Sequence, residues 1–172
     1  MRPAAGEVLH FSEDPTIEIF RPHVAKTSDK VTPYVWAVGH ERAPDYWFPR
    51  QCPRAMAWVG PNTTSQDRDR IIGAGSGSRV HAVEYGWLDA MRSVELYAYR
   101  LPADAFVEHD AAVVATTDVR PLGTPERVGD LFTLHEEAGI QLRVMRRLHE
   151  FWAAATASTL EWSGIRLRNA KP

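Results

Sequence analysis

A single cysteine, Cys52, stands in 172 residues, so no intramolecular disulfide can form and a reducing compartment is expected. No stretch approaches the ~20 apolar residues that a membrane-spanning helix needs, and no apolar run follows Arg2 as a secretory leader would require. A cytoplasmic protein that does not bind membranes is the expectation. Neither sign of charge dominates: 20 Lys and Arg stand against 22 Asp and Glu, a net charge of −2. That balance argues against coating nucleic acid by bulk electrostatics.

Several chemistries lack their motifs. There is no G-x-S-x-G elbow for a serine hydrolase, and Cys52, beside Pro53, reads as a buried structural thiol. Cys52 has no second cysteine for a zinc spacing. His81 and Glu84, in "HAVE", have a spacing that suits metal ligands on a helix, but the segment reads as a strand, where i and i+3 point to opposite faces. No metal is expected. "GAGSGS", residues 73 to 78, follows a helix and precedes a strand, the reverse of a phosphate loop, so it reads as a connector.

What is present suits one domain spanning residues 1 to 172. Hydrophobic residues make up 44% and charged residues 24%, ordinary values for a packed core. Strand patterns run over Glu7 to Phe11, Tyr34 to Val38, Ala55 to Val59, Arg79 to Glu84, Glu95 to Leu101, Ala112 to Thr117 and Ile140 to Met145, broken by Pro, Gly and Asn. Thr64 is placed to cap a helix from Ser65 to Ile72, with Asp67 as its capping-box partner. Trp87, Leu88 and Met91 space a short helix. Val128, Leu131, Phe132 and His135 space another, which Gly139 would end. The longest expected helix runs from about Arg146 to Glu161, on a stripe of Leu148, Phe151, Trp152, Ala155, Thr159 and Trp162 that reads as core, with Gly164 as its C-cap. The loop from Thr16 to Pro33 carries Arg21, His23, Lys26 and Lys30 and could form a flap. Many short strands with a few helices predict an α+β fold with a bent, mostly antiparallel sheet.

Six of the seventeen aromatic residues fall between Tyr34 and Trp58, which suits either a core wedge or a stacking surface for a flat ring. His10 ends the first strand on one face with Val8 and Ser12. A strand histidine is either a satisfied core residue or a binding group. A neutral imidazole donates from one nitrogen and accepts at the other, and with the Ser12 hydroxyl it suits a vicinal diol. Tyr34 and the run Tyr46-Trp47-Phe48 offer aromatic faces. Together these residues suit a ribose bearing a flat ring, that is, a nucleotide. Arg50, just past Trp47-Phe48-Pro49, could hold a pyrophosphate through its planar fork.

The order of "LHFSEDP", "PYVWAVGHERAPDYWFPR", "LYAYRLP" and "ASTLEWSGIRLRNA" resembles an uncharacterised bacterial domain family, over about residues 9 to 170. More distantly the arrangement is similar to the ADP-ribosyltransferase superfamily, in the branch of rifampin ADP-ribosyltransferases and tRNA 2′-phosphotransferases. That resemblance implies two small bent, mostly antiparallel sheets packed as a split core with helices outside. It implies NAD as substrate, with His10 on its ribose, the Phe11 backbone on the nicotinamide amide and Ser12 as the matching hydroxyl residue. Tyr46 would stack on nicotinamide. In "ATTDVRPL", Asp118 takes the place of a catalytic glutamate, with Thr117 beside it. The acceptor of ADP-ribose is open. So are two other readings: a non-catalytic nucleotide-binding module, and a structural or interaction protein whose aromatics are all core.

Overall fold

Short alternating segments between turn residues give this chain more strand than helix. The computed structural model describes residues 1–24, 32–75, 77–110 and 112–172. In chain order these form β1 (Glu7–Ser12), β2 (Val35–Ala37), β3 (Arg54–Trp58), α1 (Ser65–Ile71), β4 (Arg79–Glu84), α2 (Leu88–Ser93) and β5 (Tyr97–Pro102). Then follow β6 (Val107–His109), β7 (Ala112–Ala115), β8 (Glu126–Arg127), α3 (Leu131–Glu137), β9 (Gln141–Met145), α4 (Leu148–Thr156) and β10 (Glu161–Ile165). The fold is α+β and mostly antiparallel, and β4 with β9 is the parallel pair among the described residues. The described residues form three small sheets where two were expected. Lys26 and Lys30 of the expected flap lie outside the described residues, as does Ser76 of the glycine-rich connector. No described helix is long and apolar enough to cross a membrane.

The chain divides into two compact units, each made of two chain segments: residues 1–47 with 95–129, and residues 48–94 with 130–172. The first unit holds the sheets β1-β5-β8 and β2-β7-β6. A backbone bridge joins them, Leu9 N–H donating to Val38 O and Val38 N–H to Leu9 O, both at 2.9 Å. Val8, Phe20, Val35, Ala37, Tyr99 and Leu101 form its core. The alternation read from Tyr97 to Leu101 survives as register: His10 faces Tyr99 and Val8 faces Leu101 across the β1–β5 pair.

The second unit is built on the sheet β10-β3-β4-β9. Ala55 and Ala57 of β3 and Val80 and Ala82 of β4 pack with Leu148, Phe151 and Ala155 of α4 and with Ile71 and Ile72. Small side chains on the strands let the helix lie close to the sheet. Thr64 caps α1 as its sequence position predicts, accepting from Asp67 N–H at 3.2 Å. The capping box does not close. Thr64 N–H goes instead to Thr159 Oγ1 at 2.9 Å, and the Asp67 carboxylate accepts from Thr159 N–H and Oγ1–H, both at 2.8 Å. The Arg70 guanidinium, bonded to the carboxylate at 2.7 Å, and then the two Thr159 bonds pull the Asp67 pKa down to about 2. Gly139, at φ 64°, ends α3.

The longest helix is shorter than its hydrophobic stripe suggests. Thr156 and Ser158 turn their hydroxyls onto the carbonyls of Trp152 and Ala155, at 3.0 and 2.7 Å, and Asp67 holds Thr159. Side-chain bonds of this kind compete with the helical ladder. The chain therefore leaves α4 at Thr156 and re-enters the sheet as β10, so Trp162 and Gly164 are strand residues. The other end of α4 has no cap of its own. Glu84, buried at the end of β4, supplies one: its carboxylate accepts from Leu148 N–H at 3.0 Å and from Lys171 N–H at 3.1 Å. A carboxylate at a helix N-terminus also meets the positive end of the helix dipole. Replacing it removes a charged acceptor from two N–H groups. Glu84→Gln is expected to lower unfolding free energy by about 1–3 kcal/mol, read from urea unfolding at pH 7, with Glu84→Ala lower still.

Candidate functional site

The pleat of β1 decides what its end can present. Leu9 sends its N–H and C=O to Val38, away from β5. Backbone groups two residues apart on a strand point the same way, so Phe11 sends its N–H and C=O to that same edge. The Leu9–Val38 bridge is the one recorded there among the described residues. The backbone of Phe11 thus lies just past the last rung of that ladder.

His10 projects to the opposite side from the Phe11 side chain. Its Nδ1 donates to the Trp36 carbonyl at 2.8 Å, since a carbonyl only accepts. The ring leans on Phe20, centroids 4.6 Å apart, and Phe20 meets Tyr99 edge-on at 5.1 Å. Ser12, on the His10 face, is buried and accepts from Asp14 N–H at 3.1 Å. On the other face the rings of Phe11 and Tyr46 lie nearly parallel, 7° apart in plane with centroids at 6.5 Å. Tyr46 sits on a short 3-10 turn (Ala43–Tyr46) with Pro44 in its first positions. The buried Asp45 pairs with Arg42 at 2.8 Å and steadies that turn.

Asp118 reaches the same neighbourhood through the backbone. Phe20 and Val119 exchange N–H···O bonds of 2.8 and 2.9 Å, which sets Asp118 one residue from the partner of the Phe20 ring. Its carboxylate is half exposed and lies 3.7 Å from Arg21, also exposed. A solvated pair of this kind is weakly held. Thr117 is on an exposed bend beside it. An open depression of about 500 Å³ is lined in part by Thr16, Ile17, Glu18, Arg120 and Thr124; Asp118 is not among its lining residues.

The remaining candidates stand elsewhere. Tyr34 belongs to an aromatic group on the β2 sheet, its ring 5.8 Å from Trp36 and 5.2 Å from His109. Trp47 is buried, its indole N–H on the Met1 carbonyl at 3.1 Å. Arg50 is an exposed residue of the second unit. Cys52 is buried there, and burial pushes its thiol up to about 12, which leaves it protonated and unreactive.

Sequence reasoning missed Phe20 and the task of Tyr99. Phe20 stands in what read as loop, with an Ile17, Ile19 alternation as its only signal. Tyr99 was legible as an inward strand residue, but its hydroxyl partners were not. That hydroxyl donates to Asp14 O at 2.6 Å and accepts from Ile17 N–H at 3.0 Å, and it holds the turn that leads into Phe20. Burial raises its pKa.

A family model described as a family of unknown function (DUF6886) matches residues 9–170. No curated protein and no solved structure matches the chain.

Removing the Tyr99 hydroxyl leaves the Asp14 carbonyl and the Ile17 N–H without their partner. Tyr99→Phe is expected to cost about 1–3 kcal/mol in urea unfolding. Amides from Asp14 to Phe20 should also exchange faster with solvent than in the wild type.

Proposed function

We propose that this chain, which belongs to the DUF6886 family of unknown function, binds NAD at the end of β1 and transfers its ADP-ribose to an acceptor. The observation that carries the reading is the end of β1 at Phe11, one step past the Leu9–Val38 bridge. A carboxamide needs one donor and one acceptor, in line with each other, and a strand edge presents that pair. Phe11 N–H and C=O would take the nicotinamide amide. The near-parallel Phe11 and Tyr46 rings supply flat apolar surface for the pyridine ring. His10, held through Nδ1 by Trp36, would meet a ribose hydroxyl. Ser12 lies on the same face.

The reaction breaks the bond between ribose C1′ and the nicotinamide nitrogen, whose electron pair leaves with nicotinamide. The positive charge that develops on C1′ and the ring oxygen is offset by the Asp118 carboxylate. The acceptor gives an electron pair to C1′ and loses a proton to solvent. With water as acceptor the products are ADP-ribose, nicotinamide and one proton. The exposure of Asp118 and its pairing with Arg21 favour a second reading, in which the same pocket binds a nucleotide without turning it over. No metal takes part in either reading.

Calorimetric titration with NAD and chromatography of released nicotinamide test both. NAD should bind, and His10→Ala should weaken binding at least tenfold while thermal unfolding changes little. His10→Gln, whose amide can donate to Trp36 O and accept from a hydroxyl, should retain part of the affinity. Asp118→Ala should bind NAD but lose at least tenfold in nicotinamide release. Absence of NAD binding at millimolar concentration rules out both readings, and binding without release selects the second.

A further inference from the structure

The open depression on the first unit has two walls, and β5 positions both. Tyr99 holds one through its hydroxyl, which donates to the Asp14 carbonyl and accepts from Ile17 N–H. The Arg100 carbonyl holds the other, accepting from Leu122 N–H at 2.9 Å. The backbone bridge between Phe20 and Val119 ties the two segments together. Pro15 stands in the first wall, Pro121 and Pro125 in the second, and each ring fixes its own φ. The fold therefore shapes this concavity of about 500 Å³, a size that suits a small organic molecule.

Its charges run against those of the unit that carries it. Thirteen Asp and Glu stand there against eight Lys and Arg, so an acid is available to most cations. Of the six arginines, Arg21 pairs with Asp118, Arg42 with Asp45 and Arg127 with Glu95. Arg2 donates to the His40 carbonyl. The guanidiniums of the other two, Arg100 and Arg120, have no hydrogen-bond or ion-pair partner among the described residues. Both are at this depression. Arg120 lines it, as does Gly123. Arg100 lies against Gly123, its Nη2 3.8 Å from where a Cβ on that glycine would stand.

Two like charges at one depression repel each other, and an anion between them would turn that repulsion into attraction. A guanidinium presents a planar fork that matches phosphate oxygens. The Thr124 hydroxyl, on the same wall, adds a neutral donor. The opposite wall differs: Pro15 and Ile17 give apolar surface, and Glu18 gives a carboxylate that forms no ion pair with either arginine. Such a carboxylate accepts from a hydroxyl or an ammonium group.

The depression is separate from the end of β1. In the sheet β1-β5-β8, Phe11 sends its backbone groups to the edge away from β5. The wall that holds Leu122 runs along the other side of β5, where β8 pairs.

We infer that this depression binds a phosphate monoester of a small organic molecule. Arg100 and Arg120 take the phosphate with Thr124 beside them, and Glu18 takes a hydroxyl or amino group of the organic part. A phosphate monoester carries nearly two negative charges at pH 7, which matches two guanidiniums.

Amide chemical shifts of the full chain, followed during titration with glycerol 3-phosphate at constant ionic strength, read the site. Saturating shifts at Ile17, Glu18, Gly123 and Thr124 are expected at millimolar concentration or below. Inorganic phosphate offers Glu18 no partner of this kind and should bind more weakly. Arg100→Ala and Arg120→Ala should each weaken binding at least tenfold, with thermal unfolding unchanged because both side chains are exposed. Arg120→Lys keeps the charge but loses the fork, and its affinity should fall between wild type and Arg120→Ala. Gly123→Glu sets a carboxylate against Arg100 where a Cβ makes only ordinary contact, and should also weaken binding at least tenfold. His10→Ala should leave the affinity unchanged, so loss of NAD binding and loss of this site are read apart. The inference is overturned if glycerol 3-phosphate gives no saturating shift at millimolar concentration, or if sodium chloride reproduces the shifts. It is equally overturned if inorganic phosphate binds as tightly, if affinity survives loss of both arginines, or if His10→Ala abolishes it.

Discussion

One bridge between two short segments organises the first unit. The reciprocal bonds of Leu9 and Val38 join β1 to the end of β2, and the His10–Trp36 bond lies beside them. The bridge fixes the edge toward which Phe11 sends its N–H and C=O. The adjacent bond fixes the orientation of the His10 ring. A one-residue slip of β1 against this segment would turn His10 to the other face and point the Phe11 backbone at β5. The site at the end of β1 is therefore a property of register first and of side-chain identity second. β5 enforces that register from the other side, through six consecutive pairs from Glu7–Pro102 to Ser12–Tyr97.

The two units bury polar groups in different ways. The first buries the Ser12 and Tyr99 hydroxyls, each bonded to backbone of the Asp14–Ile17 turn, and the Asp45 carboxylate, paired with Arg42. A neutral hydroxyl costs little to desolvate once its partners are supplied. The second buries ionisable groups: Glu84, Arg54, His81 and His135. For these the partner also decides the charge state. Glu84 keeps two N–H groups as partners.

Local signals made part of this structure legible. Thr64 as a cap, Gly139 as a helix end and the alternation of Tyr97 to Leu101 each depend on neighbours within a few residues. The end of α4 was not legible, because what stops it is Asp67, about ninety residues earlier, acting on Thr159. The contact between His81 and His135 was not legible either: residues 81 and 135 share no local pattern, and each alone reads as an ordinary strand or helix histidine. Net charge misled in a different way. The first unit carries eight Lys and Arg against thirteen Asp and Glu, and the second twelve against nine. The value of −2 is the sum of −5 and +3, and it describes neither surface. At the candidate site, His10 and Ser12 were legible by parity along β1. Phe20 was not, because only its backbone bridge to Val119 gives it a fixed place.

The edge of β1 carries the strongest physical argument for function because it runs against what strands ordinarily do. A strand that pairs fully on one side and stops after one rung on the other leaves backbone groups that must find water or a ligand. Natural sheets cover or blunt such edges. Here that position is flanked by an imidazole bonded to the Trp36 carbonyl, a buried hydroxyl and two nearly parallel rings. An apolar residue against Phe20 would pack as well as the His10 ring does. Departures from local rules that are then firmly supported by their surroundings are characteristic of binding sites. The support here is specific, because Trp36 O, Phe20 and the turn held by Tyr99 each constrain the same imidazole.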